Sequence, residues 1–348
     1  MKYFCNLLRW APLWAMLLLI TSCSTSKTEA IGNPDEIFVF ADSLDWLDYQ
    51  AGLDTLFGKE YLTPAPEPSY LLAWRSFEEF TQYRLRKNVL FLARLDGQDR
   101  VSLEVKKALS QEVLEGIQTG EFFYIPRNDV WAREQYVVYL VAPDKDAMLR
   151  RIYDLGELVF DDFEKSYYTR LHEQMYENYE NKKLEDYLRK HFPFTLRVQH
   201  DYQIASESLE ERYVWLRRIH PSRDRALTVH WIPFSDSARI DFDWIVQQRN
   251  RLAAQIYQND VVVEDETRLE QVRFGRWPAY RLEGTWKNPQ MIVGGPFRTI
   301  VFADKESGLI FMIDFYVQAI GERKKTFLDQ LDVMAHTFRT NNSPQPEG

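Results

Sequence analysis

Residues 213–234 read YVWLRRIHPSRDRALTVHWIPF. The runs 213–219 and 226–234 are short and rich in aliphatic, aromatic and β-branched side chains, which suit a half-buried pleated surface. Pro221-Ser222-Arg223-Asp224 between them is turn chemistry: proline presets one dihedral, and serine and aspartate bond their own backbone. Two strands across a short turn make an antiparallel hairpin. The same reading extends on both sides. Residues 194–198, 261–263, 271–274, 280–286, 297–302 and 309–317 read as strands, and apolar residues at helical spacing mark 240–257 and 322–338 as helices. Antiparallel strands with helices set against them predict an α+β fold.

The N-terminal half repeats part of this order. Residues 37–40 and 88–95 read as strands, and 42–57 as a helix that Asp42 or Ser43 would cap. Residues 63–69 (TPAPEPS) can be neither helix nor central strand, because proline lacks the amide donor. A helix over 101–117, a strand pair at 121–126 and 135–142, and a helix over 144–160 follow. Strand 88–95 and the elements after it parallel strand 226–234 and the elements after that, which suggests a duplicated βαββα unit. The expected architecture is two lobes of antiparallel sheet with helices packed on one face. The N-terminal lobe spans 36–160, connecting helices 161–190, and the C-terminal lobe 191–340. The polar, proline-rich end, 341–348, is expected to be disordered.

The chain has 348 residues, 45% hydrophobic and 27% charged, with a net charge of −9. That composition fits a globular protein and excludes collagen-like or coiled-coil classes. An acidic chain without a basic tract argues against a nucleic-acid partner. Residues 1–22 read as a secretory signal: Lys2 and Arg9, then the apolar stretch APLWAMLLLI at 11–20, too short to span a bilayer. Ile20-Thr21-Ser22-Cys23 resembles a bacterial lipobox, in which the cysteine is acylated after cleavage before it. Cys5 leaves with the leader, so Cys23 is the single remaining cysteine and no internal disulfide can form. Each buried methylene contributes about 0.8 kcal/mol, so several acyl chains would hold the protein on a membrane. Residues 23–35 would be the tether. Loss of Lys2 and Arg9 takes the net charge from −9 to −11, so the acidic body is expected to stand off an anionic membrane. Ser24, where aspartate marks inner-membrane retention, points to the outer membrane, facing the periplasm.

Catalytic signatures are missing. The chain has no G-x-S-x-G, no G-x-x-x-x-G-K-[ST] and no G-x-G-x-x-G. His172-Glu173 opens like a zincin helix, but Tyr176 stands where the second histidine belongs. His191, His200, His220 and His230 are spread over a hairpin and loops and read as separate residues. Asp241 and Asp243, near a helix start, read as partners of its amide dipoles. No cofactor or metal is expected. The most distinctive stretch is 274–297, FGRWPAYRLEGTWKNPQMIVGGPF. Arg276, Trp277, Tyr280, Arg281 and Trp286 are its candidate ligand-binding residues, because aromatic platforms and guanidinium forks recognise glycans, peptides or proteins. The competing reading places the tryptophans in the core and pairs the arginines with acids.

The lipobox at 20–23, Tyr213-Val214-Trp215-Leu216-Arg217-Arg218, and Gly284-Thr285-Trp286 with Gly294-Gly295-Pro296-Phe297 make the chain similar to an uncharacterised family of bacterial lipoproteins, a domain of unknown function. That resemblance implies no activity. The resulting expectation is a lipid-anchored cell-envelope protein that binds or assembles an envelope component, protein or glycan, without catalysis. The alternative is a hydrolase of envelope glycan or peptide with carboxylates assembled by the fold, which a deep pocket holding facing acids would favour.

Overall fold

In the N-terminal sheet, the strands that read as unbroken apolar runs are the ones buried on both sides. A computed structural model of the chain describes residues 27–341, except 178, 221–222 and 236–238. The leader, the lipobox with Cys23, the first tether residues and the tail from 342 lie outside the described residues. The N-terminal part contains β1 (Glu36–Phe40), α1 (Ser43–Phe57), β2 (Glu60–Tyr61), β3 (Glu67–Pro68), β4 (Leu71–Arg75), α2 (Phe80–Tyr83), β5 (Asn88–Arg94), α3 (Arg100–Ala108), α4 (Gln111–Thr119), β6 (Tyr124–Asn128) and β7 (Tyr136–Ala142). Its five strands run in the order β4-β1-β5-β7-β6. β1 is parallel to β4 and β5, and β5 is parallel to β7; β6 is antiparallel to β7. Parallel neighbours need crossovers, which helices supply. Leu90, Leu92, Val138 and Leu140 face one core with α1. Val89, Phe91, Val137 and Tyr139 face the other, where α3 contributes Val101 and Val105.

The chain then enters α5 (Lys145–Tyr176), a helix of 32 residues. Asp144 caps it, accepting from the Ala147 amide at 2.8 Å. Its first half gives Met148, Ile152, Val159 and Phe163 to the N-terminal core, and its second half gives Tyr167, Leu171 and Met175 to the C-terminal one. The C-terminal part contains α6 (Lys182–His191), β8 (Phe194–Thr195), β9 (Gln203–Ser208), β10 (Tyr213–Arg218), β11 (Arg223–Pro233), α7 (Phe242–Ile256), β12 (Val261–Phe274), β13 (Trp277–Asn288), β14 (Val293–Asp304), β15 (Leu309–Ala319), α8 (Lys325–His336) and β16 (Arg339–Thr340). Seven antiparallel strands run in the order β12-β13-β14-β15-β11-β10-β9. The hairpin read from 213–234 is there, with Tyr213 opposite His230 and Arg218 opposite Arg225. Phe311, Ile313 and Phe315 face α5, α6 and α8, while Ile310, Met312 and Tyr316 face α7.

The fold is α+β. Four details differ from the sequence reading. Helices cover both faces of each sheet rather than one. The N-terminal sheet is largely parallel and the C-terminal one wholly antiparallel, so the shared element order is not a repeated topology. The helix expected over 101–117 breaks at extended Leu109, and Ser110 caps α4 by accepting from Val113. Strand β12 joins the two runs read separately, across an irregularity between Val263 and Arg268.

Candidate functional site

A cleft of about 1000 Å³ opens where α5, α6 and α8 meet the C-terminal sheet and the β2–β3 ribbon. Helical spacing builds two of its walls. Glu164, Tyr168 and His172 recur every four residues on α5. On α8, Lys325, Asp329, Asp332 and His336 follow the i, i+4, i+7 rule and share a side. Tyr61 reaches in from β2, Arg281 from β13 and Arg298 from β14.

The floor is a buried ionic hub. Asp329 is fully buried and accepts from Tyr61 Oη at 2.6 Å, Tyr167 Oη and Tyr168 Oη at 2.9 Å, and Lys325 Nζ at 2.8 Å. Arg298 stands 3.8 Å from Asp329 and 3.7 Å from Asp332, and donates through Nε to Glu283 at 3.0 Å. Burial pushes the Asp329 carboxyl upward. The charges of Lys325 and Arg298 and the hydrogen bonds it accepts outweigh that together and hold it below the ordinary carboxylate range. Burial raises the hydroxyls of Tyr61, Tyr167 and Tyr168 well above the usual phenol range, so they remain donors. Lys325 lies 4.2 Å from the centre of the Tyr167 ring, which adds a cation–π contact.

Around this floor the lining is rich in guanidinium. Arg189, Arg197, Arg281, Arg298 and Arg339 line the cleft against three acids, Glu164, Glu185 and Asp332. Arg197 forks onto Glu180 at 2.6 and 3.2 Å, and Arg281 reaches Glu270 at 2.7 Å. Arg339 donates to the carbonyls of His336 and Phe338 and has no carboxylate partner among the described residues. Burial and the Arg197 charge push His172 down, so it presents a neutral ring near pH 7. Three buried polar atoms of cleft residues make no hydrogen bond: Glu164 Oε1, Asp332 Oδ1 and Arg281 Nε. Arg189 pairs with Asp186 and Arg298 with Glu283, so the cleft offers, besides Arg339, two buried acceptors and one donor that make no hydrogen bond.

The residues singled out in 274–297 do not gather into one surface. Strand alternation on β13 separates them. Trp277 is buried against Phe302, with ring centres 4.6 Å apart, and donates to Asp304 at 3.2 Å. Trp286 is buried on the opposite face against Tyr316. Tyr280 packs beside it, half-buried. Arg276 pairs with Glu306 at 2.7 Å at the surface. Of the five, Arg281 alone lines the cleft. Arg217 and Arg218, neighbours on β10, pair with Asp224 and Asp201 respectively. Among the described residues, no three His, Cys, Asp or Glu side chains gather to hold a metal. The hub residues were missed. Asp329 and Asp332 interrupt an apolar stripe of Leu328, Leu331 and Met334, and a charge set into such a stripe is the signal that marks them.

Residues 30–176 match a domain of unknown function (DUF8532), and residues 179–337 match another, DUF4837. Both matches are to domains of unknown function. No curated protein matches the chain. Among the solved structures with low similarity to parts of the chain are three of note. A Bacteroides thetaiotaomicron protein is 11% identical with a TM-score of 0.26, over 42% of this chain and 45% of its own. The chain therefore spans less than half of that protein. The Saccharomyces cerevisiae Ran-binding protein Mog1p is 10% identical with a TM-score of 0.30, over 43% of this chain and 90% of its own. LpqN of Mycobacterium tuberculosis, described as involved in cell envelope biogenesis, is 16% identical with a TM-score of 0.27, over 42% and 81%. No helix among the described residues is long and apolar enough to cross a membrane.

Proposed function

We propose that the chain is an envelope protein, anchored through acylated Cys23, that binds an anionic, hydroxyl-rich envelope component in the cleft between its lobes. The anchor reading rests on the lipobox and leader. The binding reading rests on one observation: a cleft of about 1000 Å³ lined by five arginines, in which two buried carboxylate oxygens make no hydrogen bond. Guanidinium forks match carboxylates and phosphates in geometry as well as charge. Glu164 and Asp332 supply acceptors for ligand hydroxyls, and Tyr61 and Tyr168 supply ring faces.

The alternative, a hydrolase, draws support from the acids in the same cleft. Asp332, however, lies 3.7 Å from Arg298 and 3.6 Å from His336, and Glu164 lies 3.8 Å from Lys325. Carboxylates matched by cations in this way read as structural and ligand-orienting.

Calorimetric titration tests the proposal. Muropeptide monomers, which carry sugar hydroxyls and carboxylates, are expected to bind at least ~10-fold tighter than neutral chito-oligosaccharides of similar size, the equivalent of about 1.4 kcal/mol. Arg189→Glu with Arg339→Glu, both on exposed rim positions, removes that preference. Equal affinity for both sugars, or no effect of the double variant, refutes the proposal. Turnover of the muropeptide would favour the hydrolase.

A further inference from the structure

One end of the C-terminal sheet carries isolated, strongly exposed aliphatic side chains. Ile219 is 63% exposed, Met291 57%, Ile292 95% and Ile320 73%. Strand register puts them together. Arg223 pairs with Ala319, so the β10–β11 turn and the end of β15 are level. Asn288 pairs with Val293, and Phe297 with Tyr316, so the β13–β14 tip projects from the same end. At about 4.8 Å per strand, the two hairpin tips stand roughly 15 Å apart, with Ile320 between them. Ile292 also adopts φ 55°, a region that β-branched residues resist, so the tip holds an exposed apolar residue in a costly conformation.

The described N-terminal segment lies at this end too. Arg323, three residues after Ile320, binds Asp35 at 2.7 Å. From Asp35 the segment runs back across the starts of β5 and β7: Ile31 donates to the Leu85 carbonyl and Ala30 to the Arg133 carbonyl, each at 2.9 Å, and Lys27 donates to the Asp129 carbonyl. Cys23 is four residues before Lys27, at most ~14 Å of extended chain. Lys27, Arg84, Arg127 and Arg133 are exposed here, and none has a carboxylate within ion-pair distance among the described residues. Glu29, Asp129 and Glu134 lie among these four cations, so this end carries a slight basic majority on a chain that is acidic overall.

We infer that this end of the molecule is its membrane face: the tips carrying Ile219, Met291, Ile292 and Ile320 insert among the lipids, and the basic residues meet anionic headgroups. The inference uses the proposed anchor only to place the membrane. It replaces the expectation that an acidic body stands off the bilayer. Discrete aliphatic tips beside exposed cations suit an anionic phospholipid surface, where apolar burial and headgroup attraction act together.

The acylated full chain supplies the test. Acylation blocks Cys23, so Ile292→Cys, Ile320→Cys and Leu47→Cys each offer a single site for an environment-sensitive dye. Leu47 is 71% exposed but lies near the start of α1, past the far end of β1, and serves as the control. Each labelled chain is placed on vesicles of phosphatidylethanolamine and phosphatidylglycerol containing lipids with acyl-chain nitroxides. Dyes at 292 and 320 are expected to be quenched several-fold more than the dye at 47, and Arg84→Glu with Arg133→Glu is expected to reduce that difference. Quenching at 292 and 320 no greater than at 47 overturns the inference and leaves a protein as the occupant of the tips. The mass of the same sample reports acylation separately. If acyl mass is missing, the anchor reading fails, and the same three variants carrying Cys5→Ser and Cys23→Ser, labelled and added to vesicles from solution, decide the membrane face.

Discussion

Asp329 carries the clearest consequence at the level of single residues. It is fully buried between Lys325 and Arg298, and its charge is what those two cations are matched to. Asp329→Asn keeps the shape but leaves two buried cations short of a counter-charge, which costs about 3–5 kcal/mol. The sign of the pH dependence follows from the direction of the shift. The folded-state pKa is depressed below the unfolded value near ~3.9. The stabilisation is therefore fully present above about pH 4 and is lost as pH falls through the lower folded value. Urea midpoints for wild type and Asp329→Asn should differ at pH 7 and converge only in strong acid. A gap that is constant between pH 7 and pH 3 would show that the charge plays no part. The segment around Asp329 showed a charge in an apolar stripe with Lys325 four residues before it, but not the rest of the hub, because Tyr61, Tyr167 and Arg298 come from three other elements. The aromatic–arginine segment misled for a related reason: a strand sends alternate residues to opposite sides, so Trp277 and Trp286 cannot share a surface.

Among the elements, the pairing of α1 with α5 depends on two glycines. A Cβ at Gly156 would meet Leu56 at 3.1 and 3.2 Å, and one at Gly52 would meet Ile152 at 3.1 Å. Both contacts are tighter than ordinary side-chain packing, so these positions set how closely the helices approach. Gly156→Val forces Leu56 to shift in a filled core and is expected to lower stability by about 1–3 kcal/mol, read as a reduced urea midpoint with an unchanged slope. An unchanged midpoint would mean the helices separate freely there. The existence of these helices was readable from apolar spacing; their full extent was not. Helix α5 continues past 160 because Phe163, Tyr167, Leu171 and Met175 keep the same buried stripe through a highly charged stretch. The sheet type in the N-terminal half also left a local trace: IFVF and NVLFLA are apolar on both faces, as parallel strands covered on both sides require. The hairpin at 213–234 was legible as an antiparallel pair because its strands are neighbours in sequence, although β11 begins at Arg223, inside the stretch read as turn.

Across the whole molecule, the two halves are tied by more than a linker. Helix α5 fills both cores, Tyr61 from the N-terminal half packs in the C-terminal core, and Arg323–Asp35 and Lys324–Glu67 cross the boundary at 2.7 and 3.6 Å. A chain of this length ordinarily unfolds domain by domain. Here, melting either core exposes half of a continuous helix and strips Asp329 of the Tyr61 hydroxyl, so partial unfolding costs contacts on both sides of the boundary. The wild-type protein is therefore expected to unfold in one calorimetric transition, with van't Hoff and calorimetric enthalpies equal. Two resolved transitions in the wild type would show that the halves are energetically separate. Because the cleft is walled by elements from both halves, a ligand seated there binds only when both are folded. It should raise the midpoint of that single transition in proportion to the logarithm of its concentration, without splitting the peak.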